Sequence, residues 1–304
     1  MKRVVHCIHG VGLGGAQQVV RHIVAQRSEE FEYRVLASMS GVFHEQIEGA
    51  GASVEVLPRT LPKFDPVWAM RLRSAMRRSQ AQLVHAHLFG DSLHGYLAAR
   101  SLGVPVVLTL HNVLEARSGI QRRGYRWLLG QPLTAVACAE FVRQSFLDHF
   151  GARAESVLTI QNAVDAPESA GDPEAARRIF EGELGVAPGR VILAGVGRMA
   201  PQKAFENLLE ALAALTADRG PEGNRGPGAH LVLFGEGELR ADLEAHAARL
   251  GLRDAVTFAG FRDDVRALMA AVDVVVFSSR QEGLPMVLLE AMAASRCVVA
   301  TRVG

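Results

Sequence analysis

Two doubly wound α/β halves in tandem, each on a mostly parallel sheet and the second one incomplete, are the fold this sequence predicts. Three observations predict it. Short apolar runs alternate with helix-length amphipathic segments from end to end, which is the arithmetic of βαβ units. Several of those runs, such as Val104-Pro-Val-Val-Leu-Thr-Leu110, show no polar alternation, as strands covered on both faces do not. The rhythm breaks over residues 163–189, which hold Pro167, Gly171, Pro173 and Pro188, and then restarts.

The chain opens on Lys2 and Arg3 and a short apolar run that ends in a glycine loop. That run is too short for a signal peptide and reads as a first buried strand over 4–8. Further strands are expected at 33–37, 53–57, 83–86, 106–110, 135–139 and 157–160, with helices at 17–26, 91–102 and 140–149. The first domain is set at 1–166. A linker follows at 167–188, with a short charged helix between Pro173 and Leu184. The second domain, 189–304, carries strands at 191–195, 230–234, 256–258, 274–277 and 298–301. Its helices fall at 204–215, 238–250, 263–271 and 285–293, and 220–228 reads as a flexible surface insertion. The sequence stops just after a strand, and a whole second domain of usual size needs roughly 60 or more further residues. Open α/β sheets bind ligands at the carboxyl ends of their strands. With two domains, the site is expected between them.

Composition narrows the function. The 304 residues are 49% hydrophobic and 21% charged, with a formal net charge of +1. That is globular and lacks the basic excess of a nucleic-acid binder. No apolar run is long enough to cross a bilayer. Cys7, Cys138 and Cys297 are scattered inside apolar runs, as packed thiols of a reducing compartment are, so a cytoplasmic protein is expected.

Four constellations carry chemistry. Glu282-Gly-Leu-Pro-Met-Val-Leu-Leu-Glu290 puts one carboxylate in a Gly-Pro turn and a second inside an apolar helix that Pro285 suits at its first turn. An unpaired buried carboxylate costs several kcal/mol, so Glu290 calls for a polar partner. Helix-start amides favour an anion nearby. Bound phosphate beside an acceptor carboxylate suits a nucleotide ribose. The alternative is a surface helix with Glu290 solvated. Gly197-Arg198-Met-Ala-Pro-Gln-Lys203 follows the first strand of the second half. Its planar Arg fork and point-charge Lys neutralise a diphosphate, or else form a solvated pair. Gly10-Val-Gly12-Leu-Gly14-Gly15-Ala16 lets backbone amides approach a ligand. It is no clean GxGxxG, and no acid follows the second strand, which argues against a dehydrogenase. A tight strand-to-helix turn is the plain alternative.

Histidine is the last constellation. His85-Ala-His87 and Thr109-Leu-His111 end the fourth and fifth strands. His85 and His87 share a face, but a metal needs a third ligand, and Asp91 is the only acid near in sequence; no metal is expected. His111, at a strand's carboxyl end, suits a substrate hydroxyl. Two basic-amphipathic stretches complete the inventory: Trp68 to Arg78, with Arg71, Arg73, Arg77 and Arg78, and Arg117 to Trp127, with Arg122, Arg123 and Arg126. Each is either a solvated helix face or a rest for anionic lipid headgroups.

In order along the chain, these residues resemble family 4 of the retaining glycosyltransferases, whose GT-B fold pairs two Rossmann-like domains. The match takes in the loop from Gly12 to Ala16, Leu83-Val-His-Ala-His87, Leu108-Thr-Leu-His111-Asn, Ile160-Gln-Asn-Ala-Val-Asp165 and Gly197 to Lys203. It continues with Leu233-Phe-Gly-Glu-Gly237, Val256-Thr-Phe-Ala-Gly260-Phe, and Glu282 and Glu290 with seven residues between them. The resemblance implies a nucleotide-diphosphate sugar donor, UDP first and GDP second. Arg198 and Lys203 then hold the diphosphate, Glu290 the ribose, and backbone at Phe261 and Arg262 the base. Glu282 with the amides of Gly283 and Leu284 holds the sugar. His111 lies by the anomeric centre, and Gly14 and Gly15 approach donor and acceptor. It implies no cofactor, retention of configuration, and a glycan or lipid-linked acceptor in polysaccharide or cell-envelope biosynthesis, at the inner membrane face. Ala204 and Ala163 stand where the family has glycine, and the missing carboxyl end implies lowered stability and activity. An epimerase of the same fold and a non-catalytic nucleotide-sugar-binding subunit are the alternatives.

Overall fold

The computed structural model describes residues 1–26, 29–62, 64–114, 118–165, 171–217 and 228–303. Most of the expected 220–228 insertion and Arg117 lie outside them. The chain divides into two compact units, Met1–Asn162 and Ala163–Val303.

The first unit is a seven-stranded sheet of β1 (Lys2–Gly10), β2 (Phe31–Met39), β3 (Ser53–Val56), β4 (Leu83–His87), β5 (Val106–Leu110), β6 (Thr134–Ala137) and β7 (Leu158–Thr159). Its order is β3-β2-β1-β4-β5-β6-β7, and every pairing is parallel. The connections carry α1 (Gly15–Ala25), α2 (His44–Gly49), α3 (Pro66–Arg78), α4 (Phe89–Arg100), α5 (Gly119–Leu128) and α6 (Glu140–Phe150). Ile8 and Val35 join Val20 and Val24 of α1 in one core. Gly95 lets α4 lie close on the sheet: a Cβ there would stand 3.5 Å from that of Cys7.

The second unit is a five-stranded parallel sheet of β8 (Val191–Val196), β9 (Ala229–Phe234), β10 (Val256–Gly260), β11 (Val274–Phe277) and β12 (Cys297–Ala300). The order is β10-β9-β8-β11-β12. Its helices are α7 (Pro173–Gly182), α8 (Phe205–Ala217), α9 (Arg240–Arg249), α10 (Val265–Leu268) and α11 (Met286–Ala293). The segment expected as a linker carries α7, and Ala176, Phe180 and Val186 pack with Ile192, Phe234 and Val275 in this unit's core. Asp172 caps α7 by accepting from the Glu174 and Ala175 amides at 3.0 Å, and Pro173 fills the first turn. The Pro/Gly composition that suggested a linker is thus the punctuation of one helix. Cys297, expected as packed, is exposed on edge strand β12, whereas Cys7 and Cys138 are buried.

Each sheet has one topological switch point. In the first unit the chain leaves β1 for β2 on one side and returns to β4 on the other. In the second, β9 and β11 flank β8 in the same way. In open sheets of this kind, loops diverge there at the strands' carboxyl ends and leave the crevice in which ligands bind.

Candidate functional site

In the second unit, the switch point gathers residues that lie far apart in sequence. The loop after β8 carries Arg198 and Lys203, and the loop after β11 carries Glu282. Lys203 Nζ donates to Glu282 Oε1 at 2.6 Å, with side chains only 20% and 13% exposed. Two further bonds knit the same loops: Gln202 Nε2 donates to the Gln281 carbonyl at 2.8 Å, and the Arg280 amide to the Gln202 carbonyl at 2.8 Å. Ser278 Oγ donates to the Lys203 carbonyl at 2.9 Å. The cation and the carboxylate are therefore fixed at the backbone as well as at their tips.

Glycines allow this approach. A Cβ on Gly197 would meet Lys203 Cε at 2.9 Å, and one on Gly235 would overlap the Gly197 carbonyl oxygen at 2.0 Å. Gly197 thus makes room for the Lys203 stem, and Gly235, after β9, for Gly197. Ala204 takes a left-handed φ of 47° although it is not glycine. Arg198 is exposed. Gly283 is buried and Leu284 half-buried ahead of α11. Pro285 is the residue before the first helical turn rather than in it. Glu290 is 7% exposed, so the solvated-helix alternative is set aside.

Phe261 and Arg262 follow β10 at the same edge of the sheet. Phe261 is 42% exposed. Arg262 is committed at its side chain: it reaches Asp264 at 2.6 Å and Glu183 at 3.0 Å. Bonding to Asp264 first, then Glu183, pushes its guanidinium still higher. Its backbone alone is left for a ligand.

In the first unit, the glycine loop after β1 is tied to the loop after β2. A Cβ on Gly41 would fall 2.4 Å from Gly12 Cα, and the Phe43 amide donates to the Val11 carbonyl at 2.9 Å. Gly41 is therefore the glycine that packing requires, since a Cβ on Gly12 would meet nothing within 4 Å, while Gly14 and Gly15 stand exposed at the start of α1. His111, just past β5, is half-buried. Its Nε2 lies 3.0 Å from His87 Nδ1.

The histidines form a larger group than the sequence spacing shows. His6 of β1 pairs in register with His85 of β4 and puts Nδ1 3.1 Å from His87 Nε2. His85 Nε2 meets Thr109 Oγ1 at 2.7 Å. Ring nitrogens of His6, His85 and His87 lie within 4.8 Å of one another. Burial, then the neighbouring imidazoles, holds His6 and His87 well below the ordinary histidine value. Burial alone lowers His85 to about 4. His6 was missed because it carries no motif; only the β1–β4 register brings it in. Asp91 is not part of this group. It accepts from Arg59 at 2.5 Å, and burial pushes its carboxyl up to about 7 against the pull of Arg59.

Of the two basic stretches, α3 spends its apolar side on the core: Trp68, Leu72 and Met76 are fully buried. Arg71 donates to the Pro58 carbonyl, Arg73 to Ser101 at 3.0 Å and Arg78 to Glu55 at 2.5 Å. It is a solvated face over a packed stripe. Met70 and Val67 of α3 are nonetheless 62% and 38% exposed, and on α5 Ile120 is 70% and Trp127 39% exposed, beside exposed Arg123 and Arg126. No helix among the described residues is long and apolar enough to cross a membrane.

Comparison with known proteins agrees with this architecture. Residues 13–167 match Glycosyltransferase Family 4, and residues 190–304 match the group 1 glycosyl transferases. EpsF of Bacillus subtilis (strain 168), assigned as a glycosyltransferase, is 29% identical over 98% of this chain and 79% of its own length. The UDP-Gal:α-D-GlcNAc-diphosphoundecaprenol α-1,3-galactosyltransferase of Escherichia coli is 25% identical over 94% of this chain and 76% of its own. HepE of Anabaena, solved with UDP-glucose, superposes with a TM-score of 0.86 over all of this chain and 81% of its own, at 24% identity. The first two are named as glycosyltransferases, and HepE shares this chain's fold; none is named as an epimerase.

Proposed function

Because the chain belongs to glycosyltransferase family 4, we propose that it transfers a hexose from a UDP-sugar, with retention, to a glycan or lipid-linked acceptor in polysaccharide or cell-envelope biosynthesis. The observation that carries this reading is the Lys203–Glu282 contact at the switch point of the second sheet. A donor of this class has a diphosphate joined directly to a polyhydroxylated ring. It calls for a cation and a hydroxyl-accepting carboxylate side by side. Lys203 has three N–H donors, so it serves Glu282 and a phosphate oxygen together.

Arg198 completes the diphosphate grip in this reading, and Glu290 takes the ribose hydroxyls. Backbone at Phe261 and Arg262 meets the base. Glu282 and the amides of Gly283 and Leu284 orient the sugar. His111 is assigned to the reacting end of the sugar, and Gly14 and Gly15 to donor and acceptor. The bond from the anomeric carbon to the diphosphate oxygen breaks, and that oxygen gains negative charge, which the two cations stabilise. The acceptor hydroxyl bonds to the same carbon on the face the diphosphate leaves. Its proton passes to the leaving phosphate oxygen. In this reading Arg198 and Lys203 do what a divalent metal does elsewhere, so no metal is assigned. UDP is preferred because the E. coli relative and HepE are named with uridine donors. For a lipid-linked acceptor, the exposed Ile120, Trp127, Arg123 and Arg126 of α5 are the surface for anionic headgroups at the membrane.

Turnover of UDP-sugars tests the assignment. Lys203→Ala and Arg198→Ala should each lower it by roughly a hundredfold or more, and EDTA should leave the wild-type rate intact. Unchanged turnover in both variants overturns the diphosphate role, and loss of activity in EDTA overturns the metal-free one.

A further inference from the structure

We propose that His87 and His6 are positioning residues for His111: a chain of two imidazole–imidazole hydrogen bonds fixes which of its ring nitrogens carries the proton. This rests on the reading of His111 given above, but its structural half stands alone. The chain runs from His111 Nε2 to His87 Nδ1 at 3.0 Å, and from His87 Nε2 to His6 Nδ1 at 3.1 Å. His6 Nε2, at the far end, is buried and without a hydrogen-bond partner. His6 and His87 are both 0% exposed.

A neutral imidazole holds one proton, on one of its two nitrogens. Each bond of the chain needs one donor and one acceptor. Three neutral rings can therefore satisfy both bonds in two ways only. Either all three protons sit on Nδ1, or all three sit on Nε2. A mixed arrangement sets two lone pairs or two N–H groups against each other. The two allowed states differ at the buried end. With protons on Nε2, His6 would bury an N–H that has no acceptor. With protons on Nδ1, it buries a bare lone pair. By analogy with the backbone, where orphaned buried N–H groups are rarer than under-satisfied acceptors, the chain settles with every proton on Nδ1. His87 Nδ1–H then donates to His111 Nε2, and His111 carries its own proton on Nδ1.

The surroundings keep the two inner rings neutral. His85 stacks beside the chain, its ring centre 4.1 Å from that of His87 and 5.0 Å from that of His6. Tyr33 lies 5.6 Å from His6 on the other side. Burial and the adjacent imidazoles disfavour a charge on His6 or His87. Charging His111 at Nε2 would also force both inner protons across and strand an N–H on His6. The first sheet thus presents an imidazole of defined tautomer at the carboxyl end of β5. The role resembles that of a buried group that orients a reacting histidine from behind.

Ring-nitrogen NMR of the ¹⁵N-histidine-labelled full chain tests this, since protonated and bare ring nitrogens resonate far apart. The expected spectrum has bare Nε2 and protonated Nδ1 on His6, His87 and His111 alike. His87→Phe should leave His111 exchanging between tautomers and lower kcat about tenfold or more, with donor KM little changed. His87→Asn, whose amide N–H can replace the lost donor, should restore a single tautomer and most of kcat; it also guards against a simple packing defect in the Phe variant. A His111 tautomer that stays fixed in His87→Phe overturns the proposal. So does stoichiometric zinc that His6→Phe releases, because the imidazoles would then be ligands. If the tautomer responds but kcat does not, the chain stands and the catalytic placement of His111 fails instead.

Discussion

Ala204 shows how far one residue bears on this site. Its φ of 47° sits in the left-handed region, where a Cβ costs about 1–2 kcal/mol. It follows Lys203 directly, in a turn held by Lys203 N–H to the Ala200 carbonyl at 2.9 Å and by Ser278. The strain is the cost of aiming Lys203 at Glu282. Ala204→Gly relieves it, less the extra freedom glycine gains in the unfolded chain. A calorimetric scan should show the melting temperature rising by about 2–4 °C; a fall would mean that the methyl's packing outweighs the strain. At this scale the sequence was legible at Glu290, whose apolar neighbours foretell its burial. It was not legible at His6, whose partners are set by strand register, nor at Gly235, whose need for space appears only against Gly197.

Among elements, α3 depends on a cap that is invisible in its amphipathic pattern. Asp65 accepts from the Trp68 amide at 2.9 Å, the Thr60 amide at 2.6 Å, the Leu61 amide at 3.0 Å and Thr60 Oγ1 at 2.9 Å. Burial pushes its carboxyl up, but those four bonds outweigh it and hold it well below the usual carboxylate range. A depressed carboxyl contributes stability that is fully present above its unfolded value and lost as pH falls below that. Thermal melts followed by circular dichroism should therefore decline more steeply between about pH 5 and pH 2 in the wild type than in Asp65→Asn. Parallel slopes would show that other acids govern the acid limb. The sequence places β5 and β11 to the residue, because their apolar runs end sharply. It passes over α2, whose six residues give too short a period to see, and it finds α7 within the segment it reads as a linker.

At the scale of the whole chain, the two sheets repeat one plan, and in both the candidate chemistry falls at or beside the switch point. Alternation of apolar runs with helices made that plan legible, since parallel sheets need buried strands and helical crossovers. The convergence of Lys203 and Glu282 was not legible from spacing, because 79 positions separate them and only the order β9-β8-β11 brings their loops together. The central claim is that this crevice grips a nucleoside diphosphate. Calorimetric titration of UDP into the wild type, Lys203→Ala and Glu290→Ala tests it most directly. The account predicts saturable binding by the wild type and an affinity at least about tenfold weaker, ~1.4 kcal/mol, in each variant; equal affinity in all three proteins would contradict it.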